Sequence, residues 1–196
     1  SCSCLVFYWG VDKTFEKLAP HTFIIAKDLT DNLNRIFDGR LIEDPSIYLH
    51  VPSQVDPSMA PEGKSSFYTL IPVSELETGT YPWTEETIDH YRQRALATLK
   101  EIPGLENLKE EISVERIFTP EDFEKNFSAY RGATFGLQPT LRQSNHWRPQ
   151  AKSLEVEGLY FTGSSTHPGA GVPIVLESGK ICAEELRRDE PGDDFQ

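Results

Sequence analysis

Residues 163–173 read GSSTHPGAGVP, and three glycines and two prolines in eleven positions leave no room for a helix or a strand. Regular structure stands on either side. Residues 158–162 (GLYFT) read as a short buried strand, and residues 174–188 read as a helix whose Arg187 and Arg188 complement its negative end. Pro173 occupies a first-turn position, where its fixed φ helps start a helix. The chain is thus committed to a strand, a sharp turn and a helix near its C-terminal end. Gly163, Gly169 and Gly171 leave the backbone bare, and a helix head offers unpaired N–H groups with a partial positive charge. Such a place suits a phosphate or the electron-rich edge of a ring cofactor. An ordinary βα turn that binds nothing fits these residues equally well, because isolated glycine-rich turns are weak motifs.

Upstream, residues 4–11, 21–26, 46–51 and 66–73 are rich in Val, Ile, Phe and Thr and read as strands. Residues 28–37 form a short helix with Leu29, Leu33, Ile36 and Phe37 on one side and Gly39 past its end. Residues 52–64 (PSQVDPSMAPEGK) are an exposed loop. Thr84 caps a helix running to about residue 102, where Pro103-Gly104 stops it. A strand follows over 112–118. Thr119 then caps a helix with Pro120, Glu121 and Asp122 in its first turn. Residues 130–150 read as an ordered loop, residues 189–196 as a frayed tail, and there is no internal repeat.

The 196 residues carry a net charge of -12, against nucleic-acid binding and against docking on anionic lipid by charge alone. No apolar run approaches the roughly 20 residues of a membrane span. With Ser1 first and Met59 the only methionine, the chain reads as cut from a longer protein. Cys2, Cys4 and Cys182 make no disulfide framework, and Cys2 and Cys4 read as small buried hydrophobes rather than as metal ligands. His21, His50, His90 and His146 have no metal-ligand spacing, so no metal site is assigned. Asp56, Glu62 and the acids of 106–124 read as caps and solubilising charge. No GxSxG elbow is present.

The block GLYFTGSSTHPGAGVPIVLESGKI resembles the C-terminal signature of the bacterial-type phytoene dehydrogenase family, the FAD-dependent carotenoid desaturases and their relatives. DPSIYLHVPSQVDPSMAPEGK, IFTPEDFEKNF and YRGATFGLQPTLRQSNHWRPQ resemble the same family, so the likeness covers nearly the whole chain. The opening SCSC and these blocks are most similar to the C30 branch, the 4,4'-diapophytoene (dehydrosqualene) desaturases.

That resemblance implies an α+β and α/β fragment of a two-lobed flavoenzyme. Residues 1–130 would be part of a substrate domain with a mixed sheet and covering helices. Residues 131–188 would return to a Rossmann-type FAD domain, supplying its last strand and helix. The family's GxGxxG pyrophosphate turn is absent, with Ile174 where a third glycine would stand, so the chain alone is expected to hold FAD weakly and to be inactive without the missing N-terminal half. The family assigns Gly163, Ser164, Ala170, Gly171, Val172 and Pro173 to flavin contacts. His167, the one titratable side chain inside the turn, would bond the flavin, sit near the proton path or hold the turn. No catalytic base is named. A long apolar polyene substrate needs an apolar tunnel, and Phe135, Leu137 and Trp147 are candidates for it, although core packing is their more usual fate. Arg142 and Arg148 would tie the 143–147 loop to the FAD lobe or, the favoured reading, form surface salt bridges. The expected location is cytoplasmic, with peripheral membrane contact allowed. Other flavoenzymes of this fold (a carotenoid oxidase, isomerase or saturase) and a non-redox module for hydrophobic ligands are the alternatives.

Overall fold

The computed structural model describes residues 1–189, so most of the tail expected over 189–196 lies outside the described residues. The chain divides into two compact units, one of residues 2–134 and the other of Ser1 with residues 135–196.

The larger unit is built on alternation. In β1 (Ser3–Val11), Leu5, Phe7, Trp9 and Val11 point to one side and are fully or almost fully buried. β1 pairs antiparallel with β4 (Ser65–Val73) and with β5 (Ile112–Phe118), β4 with β3 (Ile47–His50), and β3 with β2 (His21–Ile24). The strand order is β2-β3-β4-β1-β5. Every pairing is antiparallel, which corrects the expected mixed sheet: the connections within this unit return each neighbouring strand in the opposite direction. The strand expected over 21–26 ends at Ile24.

One face of the sheet is packed. Phe67, Ile71, Ile47 and Leu49 join the β1 row beneath α2 (Glu85–Leu99), whose Ile88, Tyr91, Ala95, Leu96 and Leu99 are buried. Thr84 caps α2 as expected by accepting the Thr87 N–H, but the helix ends at Leu99 and residues 100–102 continue only as a turn. A single helical turn, α3 (Leu108–Glu111), precedes β5. The start of α4 (Pro120–Phe127) is a capping box, with Thr119 and Asp122 exchanging hydrogen bonds and Pro120 in the first turn.

Helix α1 (Leu29–Asp38) leaves most of its apolar side exposed. It buries Ile36 and Asn32, while Leu29, Leu33 and Phe37 are 46%, 44% and 49% exposed. Polar bonding sets this rotation: Asn32 reaches the Asp44 carbonyl and accepts from Ser46, and Ser74 donates to the Ile36 carbonyl at 2.8 Å.

Cys4 is fully buried on β1, and burial pushes its thiol up to about 12. The thiolate is the nucleophile, so Cys4 should resist iodoacetamide at neutral pH and react only once the chain is unfolded. Labelling of Cys4 in the folded chain at the denatured rate would contradict this packing.

Candidate functional site: the glycine-rich turn and the head of α5

In the smaller unit, α5 (Val172–Asp189) starts two residues earlier than the sequence pattern indicates. The strand expected over 158–162 does not form. Tyr160 forms an isolated bridge to Lys152 in place of a ladder, and Leu159 and Phe161 are 39% and 41% exposed. An extended segment needs a neighbouring strand for its ladder, and none lies beside it among the described residues.

The turn itself is held from two sides. Ser178, in the second turn of α5, is 1% exposed; its hydroxyl donates to the Val175 carbonyl at 2.7 Å and accepts from the Gly163 N–H at 3.0 Å. The same oxygen lies 2.9 Å from the Thr162 hydroxyl. Thr166 closes the next stretch by donating from N–H and Oγ1 to the Gly163 carbonyl. From the other side comes Arg148, only 4% exposed. Its Nε donates to the Thr166 carbonyl at 3.0 Å, Nη1 to Gln143 at 3.1 Å, and Nη2 to Leu137 at 3.2 Å and Ser164 at 2.5 Å. The planar guanidinium fork thereby staples the turn to the 137–143 loop. This corrects the expected surface salt bridge at Arg148: the bonds go to carbonyls, and the group is buried. Arg142 is exposed.

Glycine is required by backbone conformation. Gly163, Gly169 and Gly171 have φ of 124°, 137° and 116°, values that side-chain-bearing residues rarely adopt. A Cβ placed on Gly163 would meet nothing within 4 Å, and one on Gly171 only the Ile174 side chain. The space above these backbones is therefore open. At the head of α5, Val175 N–H is bonded to the Gly171 carbonyl at 2.8 Å. The N–H groups of Val172 and Ile174 precede the helical ladder, so they carry the positive pole outward. Val172 is 78% exposed, Ile174 43%, and Pro173 is exposed.

The residues singled out in the sequence thus fall into two groups. Gly171, Val172 and Pro173 form the open helix head, with half-buried Ala170 just before it. Gly163 and Ser164 are the anchored entry, bonded to Ser178 and Arg148. His167 donates its backbone N–H to the Pro149 carbonyl at 2.8 Å, while its buried Nδ1 has no partner. Bare backbone, a positive helix pole and an orphaned ring nitrogen together fit the electron-rich edge of a flavin. The tunnel candidates all reach the surface of this unit. Phe135, Leu137 and Trp147 are 44%, 37% and 76% exposed.

Ser178 is a site residue that sequence reading missed; Arg148 was named there, with a surface salt bridge as its favoured role. Between Glu124 and Glu155 the sequence contains no Asp or Glu, so no acid close in sequence competes with carbonyls for this guanidinium. Among the described residues no group of three or more His, Cys, Asp or Glu is arranged to hold a metal ion, and no helix is long and apolar enough to cross a membrane.

A family model described as flavin containing amine oxidoreductase matches residues 4–187. Among curated proteins, the 4,4'-diapophytoene desaturases (4,4'-diaponeurosporene-forming) of Staphylococcus aureus strains MRSA252, Newman and USA300 are each 45% identical to the chain over 192 residues. The match takes in 96% of this chain and 38% of each relative, so the chain spans well under half the length of the proteins it resembles.

Proposed function

The chain belongs to the flavin-containing amine oxidoreductase family, and from that premise we propose that it is the flavin-facing and substrate-facing part of an FAD-dependent desaturase that dehydrogenates diapophytoene or a similar polyene. The observation that supports the substrate most directly is the 45% identity across 96% of the chain to diapophytoene desaturases. On this reading residues 131–188 complete a Rossmann-type FAD domain whose pyrophosphate grip lies in another part of the protein. The protein works in the cytoplasm, in peripheral contact with the membrane that dissolves its substrate.

When bound, the flavin supplies the hydride acceptor for removing hydrogen from the polyene. This chain's residues supply position and electrostatics. The Val172 and Ile174 N–H groups favour negative charge at the ring edge, because they sit on the positive pole of α5. Gly163 and Gly171 keep that approach free of side chains. Ser178 and Arg148 fix the turn before the cofactor arrives, which limits the ordering cost of binding. His167 Nδ1 is available to exchange one hydrogen bond with the flavin, relieving a buried group that is otherwise unpaired.

A chimera tests this reading. The chain replaces the matching segment of the Staphylococcus aureus enzyme and is expressed in cells that make diapophytoene. A flavin-bound chimera that forms a visible, more conjugated product is the expected result. A folded, flavin-bound chimera that leaves diapophytoene untouched would sink the proposal.

A further inference from the structure

Arg148 carries a full positive charge into the interior of the smaller unit, and every partner of its guanidinium there is a carbonyl. The side chain is 4% exposed, and its N–H groups end on Leu137, Gln143, Ser164 and Thr166. No Asp or Glu stands in the two stretches that hold the arginine and these partners, residues 125–154 and 158–176. Carbonyl dipoles solvate a cation without cancelling its charge, and a buried charge that lacks a counter-ion is costly. Of the five N–H donors of a guanidinium, four are already taken. Burial within this unit therefore leaves little of the group for a carboxylate from another part of the protein.

The charge lies against the glycine-rich turn. A Cβ built on Gly169 would stand 3.8 Å from the Arg148 Nε and 3.9 Å from its Cζ. Gly169 is buried, and it sits between the anchored entry at Gly163 and Ser164 and the open head of α5. The turn thus has two sources of positive potential. One is the pole of α5, equivalent to roughly half a charge. The other is a whole charge, held away from water, where its field is weakly screened.

We propose that Arg148 tunes the redox poise of the flavin, favouring the reduced, negatively charged ring over the neutral oxidised one. The inference rests on the flavin reading of the turn and adds the residue whose charge acts on the ring through the backbone between them. A hydride brings two electrons and one proton, so a neutral ring that accepts it gains one negative charge. The substrate gives up that hydride from one carbon and a proton, to water, from the next. Arg148 is accordingly a positioning residue for charge and need not touch the ring. The pyrophosphate of FAD carries the same charge in both redox states. A cation that served only the pyrophosphate would change affinity and leave the potential alone.

The test is the flavin midpoint potential of the chimera described above, with Arg148 intact, as Arg148→Gln and as Arg148→Lys. Both replacements lose the planar fork, and only Lys keeps the charge. Arg148→Gln should hold reduced flavin about tenfold less tightly relative to oxidised flavin, which lowers the potential of a two-electron couple by about 30 mV. Arg148→Lys should stay close to the parent. If Arg148→Gln sheds its flavin on purification, anaerobic titration with oxidised and with dithionite-reduced FAD gives the same quantity as a ratio of two dissociation constants. If it does not fold, Leu137→Asp serves instead. That position is 37% exposed and its carbonyl already bonds Nη2, so a carboxylate there meets an intact fork and should lower the potential in the same direction. An unchanged potential in the neutral or acid-paired variant, or an equal fall in Gln and Lys, would overturn the proposal; so would a matching loss of affinity for both redox forms. The desaturase reading fails separately. A flavin-bound chimera that shows the Gln shift yet leaves diapophytoene untouched sinks that reading alone, and an active chimera whose potential ignores Arg148→Gln sinks this inference alone.

Discussion

Replacing Arg148 with Met is expected to loosen the flavin-facing turn and lower the stability of the smaller unit by about 1.5–3 kcal/mol, the range for losing hydrogen bonds to a charged group. The side chain is 4% exposed and its fork bonds the carbonyls of Leu137, Gln143, Ser164 and Thr166. Met fills much of the volume but donates nothing, so four carbonyls lose their donor together. Lys fares little better, because one ammonium cannot reproduce a planar fork that points at carbonyls on both sides of the turn. Two measurements check this. Amide hydrogen exchange should accelerate over residues 135–171 in Arg148→Met while β1 and β4 keep their protection. In the chimera, the same variant should lose bound flavin before it loses its folded sheet. A variant that melts within about 0.5 kcal/mol of wild type, as ordinary surface substitutions do, would show that the staple is not needed.

The strands and caps of the larger unit were legible because their signals are local. β1, β4 and β5 follow from alternating or β-branched runs, and the heads of α2 and α4 follow from Thr84 and Thr119, whose hydroxyls act within three residues. What the sequence hid depends on partners far along the chain. The apolar stripe of α1 buries only Ile36, because the distant Ser46 and Ser74 bond the helix so that Asn32 turns inward while Leu29, Leu33 and Phe37 stay exposed. Residues 158–162 have a strand's composition but no strand beside them among the described residues. The positive-φ glycines of the turn were readable as glycines. That Arg148, fifteen residues before Gly163, holds the turn was not, since composition does not say which carbonyls a guanidinium reaches.

Gly39→Ala should be the most damaging single-methyl change in the larger unit. Gly39 ends α1 in the left-handed region at φ 75°, and its N–H bonds the Arg35 carbonyl. Its own carbonyl accepts from both the N–H and the hydroxyl of Thr80, at 2.9 and 2.8 Å. An added Cβ would stand 1.8 Å from the Thr78 carbonyl oxygen and 2.6 Å from its carbon. Both are backbone atoms, so no rotamer change can relieve the contact. The left-handed conformation costs a non-glycine residue about 1–3 kcal/mol, and overpacking adds roughly another 1–3 kcal/mol. Gly63→Ala separates these two costs. Gly63 has the same φ of 75° but a Cβ there would meet nothing within 4 Å, so its substitution carries the conformational cost alone. Chemical denaturation of the two variants should therefore place Gly39→Ala well below Gly63→Ala. Equal midpoints would mean that the α1 C-terminus and the 78–80 turn are not in the contact described, and that the junction joining α1 to the end of β4 is looser than its hydrogen bonds imply.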